Sequence, residues 1–89
     1  MPRRARGLRA AAVRLKAGAV MDWHSTHGRE ELLITLSGRV RMDIQSTPRR
    51  VTPVMLKAGR CALLPKRTLH RVVNRSKTEA RYIYVSAIA

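Results

Sequence analysis

The stretch Gly18–Gly38, GAVMDWHSTHGREELLITLSG, decides how this chain is read. It holds two of the three histidines, His24 and His27, together with Glu30 and Glu31, in a chain with five acidic residues against nineteen lysines and arginines. Glu31 opens an apolar run, Leu32, Leu33, Ile34 and Leu36, that reads as a strand entering a core. Two imidazoles and a carboxylate leading into buried strand point to a metal site, because that donor mixture suits first-row divalent ions. The third histidine, His70, stands far along the chain in LLPKRTLHRVVN, so a shared site requires the fold to bring it to the others.

Outward from this stretch the chain reads as short strands separated by turns, with no helical period of useful length. Ala12–Lys16 precedes it and Val20–Trp23 lies near its start, with the Ala17-Gly18 turn between them. After Ser37-Gly38, Val40, Met42 and Ile44 alternate with Arg39, Arg41, Asp43 and Gln45, one face inward and one in water. Val51–Lys57 is a weaker strand interrupted by Pro53, and Cys61–Leu64 stops at Pro65. His70–Asn74 and Ala80–Ser86 complete the series; the last, with both tyrosines, belongs in the body of a sheet. Seven or eight such strands describe an all-β sandwich or barrel.

Eighty-nine residues make one domain, and with 3% aromatic residues and no Phe its core is aliphatic. Residues 1–9, with four arginines and no acid, read as a flexible basic arm, and residues 10–89 as the barrel domain. A single cysteine, Cys61, excludes an internal disulfide and fits a reducing, cytoplasmic setting; it reads as a small buried hydrophobe. No apolar run is long enough to span a membrane as a helix. The net charge of +14 raises the question of nucleic acid. The basic residues are spread along the chain, without a basic helix or an aromatic stacking platform, so the charge reads as solvated surface with nonspecific anion affinity.

The spacings are specific. Five residues separate Gly18 from His24, three separate His27 from Glu31, and six separate Glu31 from Gly38. Downstream, five residues lie between Gly59 and Pro65, four between Pro65 and His70, and three between His70 and Asn74. These are the two motifs of the cupin superfamily, and from Leu15 to Val85 the chain resembles a minimal single-domain cupin. The resemblance implies an antiparallel double-stranded β-helix, or jelly-roll barrel, with His24, His27, Glu31 and His70 as ligands of a divalent transition metal (Zn, Mn, Fe, Ni or Cu). It leaves open whether the protein is a metalloenzyme acting on a small molecule or a noncatalytic metal- or ligand-binding module. A third reading, a basic nucleic-acid-associated protein, rests on charge alone.

Two departures from the family pattern carry structural expectations. Ser25 and Thr26 both lie between the histidines, where the family has one residue. Residues three apart on an ideal strand face opposite ways, so a β-bulge at Ser25-Thr26 is expected to restore the parity. Arg67 stands where the family often has glycine, which predicts a loop that avoids positive φ. Gly18, Gly38, Gly59, Pro65 and Asn74 read as turn residues, and Trp23 as a packing residue. Finally, Leu32, Ile34 and Leu36 lie on the strand face opposite Glu31 and Leu33. That is too much aliphatic surface for water, and a homodimer is expected to cover it.

Overall fold

A computed structural model describes residues 7–89 as eight strands, with no helix among them. In chain order these are β1 (Leu8–Leu15), β2 (Val20–Ser25), β3 (Arg29–Ser37), β4 (Arg39–Thr47), β5 (Arg50–Lys57), β6 (Cys61–Leu64), β7 (Leu69–Val73) and β8 (Ala80–Ile88). They form two antiparallel four-stranded sheets, ordered β1-β8-β3-β6 and β2-β7-β4-β5. Of the connections, only β4–β5 stays within one sheet; every other one crosses between sheets, which is the jelly-roll path. Among the described residues no helix is long and apolar enough to cross a membrane.

Period-two alternation sets what lies between the sheets. On β3, Glu31, Leu33 and Thr35 face inward; on β8, Tyr82 and Ser86 do; on β4, Val40 and Met42 do. Leu15, Leu33, Val40, Met42, Leu56, Leu64, Val72, Ala80 and Tyr82 form one buried cluster. Gly38, between β3 and β4, shows why that crossing needs glycine. Its φ is +71°, and a Cβ there would lie 2.9 Å from the carbonyl oxygen of Glu79. Asn74 closes the same end from below. Its buried amide donates to the carbonyls of Leu15, Lys16 and Thr78, and its oxygen accepts from the backbone and hydroxyl of Ser76.

Several expectations shift. Of the basic arm expected over residues 1–9, residues 1–6 lie outside the described ones, while Leu8 and Arg9 already belong to β1, paired with Ala87 and Ser86. Pro53 does not interrupt β5: this is an edge strand, where a missing N–H breaks no ladder, and Pro53 sits opposite Asp43. Cys61 is exposed, not buried. Its register partner is Ile34, on the outward face of β3, so strand parity turns the thiol away from the core.

Candidate metal centre

The site lies at the end of the interior opposite Gly38 and Asn74, where the inward positions of four strands change from aliphatic to polar. One row of the first sheet runs Arg9, Ser86, Glu31, Leu64 across β1, β8, β3 and β6. Facing it, His24 on β2 pairs with His70 on β7, and His70 pairs with Ile44 on β4. Donor atoms of His24, Glu31 and His70 all lie within 4.8 Å of one another. His70 is 1% exposed, with its ring centroid 4.1 Å from that of His24, which stands at the mouth.

Hydrogen bonds fix how both imidazoles point. Nδ1 of His24 lies 2.8 Å from the carbonyl oxygen of Asp22, and Nδ1 of His70 lies 3.3 Å from that of Thr68. A carbonyl only accepts, so each Nδ1 carries the proton and each Nε2 is left with a lone pair. Nε2 of His70 nonetheless sits 3.0 Å from the Glu31 carboxylate, which also only accepts. A neutral imidazole has one N–H and cannot satisfy both neighbours. One further cation between Nε2 and the carboxylate, a proton or a metal ion, would satisfy both contacts at once. Anchoring a ligating histidine through its other nitrogen is how metal sites orient their ligands, and the donor set fits a first-row divalent ion.

His27 does not join the three. It lines the same cavity but is exposed, with φ +52°, at the turn between β2 and β3. Two residues after His24, the buried inward position belongs to Thr26, whose hydroxyl donates to the Pro65 carbonyl and accepts from the Thr68 N–H. The expected bulge between the two histidines is absent, and their parity is not restored. The register shift lies between Met21 and His24, so the extra residue is taken up at Asp22-Trp23, before the first histidine and not at Ser25-Thr26. Arg67 also corrects an expectation, because its φ is +57°. Its N–H donates to the His27 carbonyl at 2.6 Å, so two non-glycine residues at positive φ brace each other across the mouth.

Behind the histidines, the outer face of the second sheet is pinned by charge. Asp43, 3% exposed, accepts from Arg41 and from Arg71, and the Arg71 guanidinium lies 4.9 Å over the Trp23 ring. Burial pushes the Asp43 carboxyl up, but the hydrogen bonds and charges of Arg71 and Arg41 outweigh it and hold it below 3.8. Trp23 and Arg71 are the chain neighbours of His24 and His70, so this brace backs both imidazoles. On the inner side, burial with Glu31 and Tyr84 nearby pushes Tyr82 up to about 12, which keeps its phenol protonated. The cavity around the cluster measures about 680 Å³ and is lined also by Arg9, Arg29, Leu33, Val72 and Tyr84. Arg9, Arg29 and Asp22 carried no signal in the sequence, since their placement depends on strand pairing.

A family model described as "Cupin domain" matches residues 11–86, and the chain belongs to that family. No curated protein matches the sequence significantly. Among solved structures, the Schizosaccharomyces pombe Cnp3 cupin domain superposes with a TM-score of 0.85 at 17% identity, covering 100% of this chain and 58% of that one. An oxalate oxidase superposes with a TM-score of 0.85 at 20% identity, covering 92% of this chain and 42% of that one. A Thermus thermophilus protein gives 0.83 at 21% identity, covering 96% and 76%. The chain thus spans less than two thirds of the first two. The fold is the cupin jelly roll, with a histidine–glutamate cluster able to hold a metal.

Proposed function

We propose that the protein is a small metal-binding cupin in which His24, Glu31 and His70 hold one divalent transition ion and present it to a small molecule in the cavity. The observation that carries this reading is the pair of imidazoles tied through Nδ1 to backbone carbonyls, one of them with Nε2 against Glu31. Three protein ligands leave positions for water or substrate, and a metal held so supplies Lewis acidity, a template or a redox centre. The chain's own part is to orient the two Nε2 atoms, to keep Leu33 and Val72 as a dry wall, and to keep the Tyr82 phenol protonated beside Glu31. His27 is a rim residue in this proposal. The fold hosts many chemistries and does not choose the reaction.

The test is metal content of protein purified without a metal-binding tag, compared with His70→Ala, Glu31→Gln and His27→Ala. Stoichiometric metal is expected in the wild type and in His27→Ala, and its loss in the other two. Full occupancy in His70→Ala would sink the assignment.

The same reading includes a homodimer. Leu8, Leu32, Ile34, Leu63, Ile83 and Val85 share the outer face of the first sheet, with Leu63 68% and Leu8 53% exposed. Three strands of eight or nine residues and the four-residue β6, about 4.8 Å apart, give a footprint of roughly 400 Å², the size of the largest patches on monomers, which are often functional. Sedimentation equilibrium in moderate salt is expected to give the dimer mass, and Ile34→Glu the monomer mass. The free thiol of Cys61 supports a reducing compartment, the cytoplasm, as the location.

A further inference from the structure

The cavity wall beside the proposed ligands carries positive charge that a metal centre does not use. Arg9 and Glu31 flank Ser86 in one row of the first sheet, so both face inward, two strand spacings or about 10 Å apart at the backbone. Among the described residues Arg9 makes no ion pair and no side-chain hydrogen bond. Arg29, on the same wall, is held among the described residues by neutral groups: its Nε donates to the Ser86 hydroxyl at 2.9 Å, and its Nη2 to the carbonyls of Gly7 and Ser86. The two carboxylates lining the cavity are engaged elsewhere, Glu31 with His70 and Asp22 with the Trp23 N–H. The arginines and carboxylates of the lining balance formally, and a divalent ion makes the cavity net positive.

We propose that the cavity takes a small organic carboxylate, with its acid group paired to the guanidinium of Arg9 and its carbon body against Leu33 and Val72. The inference rests on the metal reading above, because the bound ion is what leaves the cavity in need of an anion. A guanidinium fork matches a planar carboxylate in two parallel hydrogen bonds. Part of the lining beyond that fork is apolar or phenolic, with Leu33, Val72, Tyr82 and Tyr84, and that part suits a carbon skeleton better than a phosphate surrounded by oxygens. Arg9 stands at the mouth with its cation exposed, so it can meet an incoming acid before the apolar part is buried.

The experiment is calorimetric titration of the zinc-loaded full chain with benzoate, benzamide and inorganic phosphate, repeated on Arg9→Gln and Arg9→Lys. Benzoate and benzamide share shape and differ in charge. Benzoate is expected to bind at least about tenfold tighter than benzamide, the ratio one charge-assisted pair supports. Arg9→Gln is expected to erase that preference with metal content unchanged, and Arg9→Lys to restore part of it. Equal binding of the acid and the amide, no saturation with benzoate at millimolar concentration, or a full preference in Arg9→Gln overturns the proposal. Phosphate binding tighter than benzoate overturns the carboxylate assignment. The two readings fail separately. Absence of metal, read by elemental analysis, ends the metal centre, whereas the acid-to-amide ratio of wild type against Arg9→Gln, measured also on metal-free protein, reads the arginine alone.

Discussion

The two ends of the interior are made by the same strands and filled with opposite chemistry. At the Gly38 end, Leu15, Val40, Leu56 and Ala80 pack into the buried cluster, and Asn74 ties down the loop carbonyls. Only a few inward positions further along, β1 has passed from Leu15 to Arg9, β3 from Leu33 to Glu31, β7 from Val72 to His70, and β8 from Ala80 to Ser86. The β1–β8, β8–β3 and β4–β7 ladders run through this transition without a register shift, while the β2–β7 ladder takes up its bulge there, so the polar end borrows its rigidity from the dry one. A domain this small has no second core to spare for holding a site.

That contrast can be broken most severely from the dry end. Met42, fully buried and paired with Val72, lies one row from His70. Met42→Ala is expected to cost about 2–5 kcal/mol, by lost transfer energy and a residual cavity. Its urea midpoint should fall with the metal content of the remaining folded protein unchanged. If the metal is lost at conditions where the variant is fully folded, the two ends are coupled more tightly than packing alone requires.

A smaller effect is expected from the brace behind the two histidines. Asp43→Asn keeps the shape and removes the charge that Arg41 and Arg71 share, at a cost of about 1–3 kcal/mol. Because the folded-state carboxyl is held below its ordinary value of 3.8, its stabilisation is fully present above that value and is lost as pH falls through the folded one. Wild type and Asp43→Asn should therefore differ in urea midpoint at neutral pH and converge in acid below 3.8. A difference that persists there would assign the effect to packing. The smallest change is in the core itself, where the Thr35 hydroxyl is buried with no hydrogen-bond partner among the described residues. Thr35→Val removes it at constant shape and is expected to raise stability by up to about 1 kcal/mol, read as a higher thermal midpoint.

Much of the fold was legible because alternation is local. Val40, Met42 and Ile44 against Arg41, Asp43 and Gln45 announce a two-faced strand whatever it pairs with, and Gly18, Gly38 and Gly59 all take the positive φ that their turns require. Both tyrosines sit on β8, in the body of its sheet as read, between β1 and β3. The site was legible in part. The spacings flagged four candidate ligands, and the fold gathers His24, Glu31 and His70 but leaves His27 on the rim. Spacing counts residues, while facing depends on where a ladder takes up its extra one, and β7 sets that by pairing Met21 with Val72 and His24 with His70.

The sequence by itself determined the strand periods, the turns, and which residue types are available for a metal. Those are properties of neighbours along the chain, governed by backbone sterics and by the inside–outside preference of each side chain. Only the tertiary structure decided the position of the bulge, the exposure of Cys61 on an edge strand, and the positive φ of His27 and Arg67. It also brought Arg9 and Glu31 into one row. The reason is the same in each case: register and cross-loop hydrogen bonds form between segments distant in sequence, and shifting a strand by one residue turns every side chain to the other face.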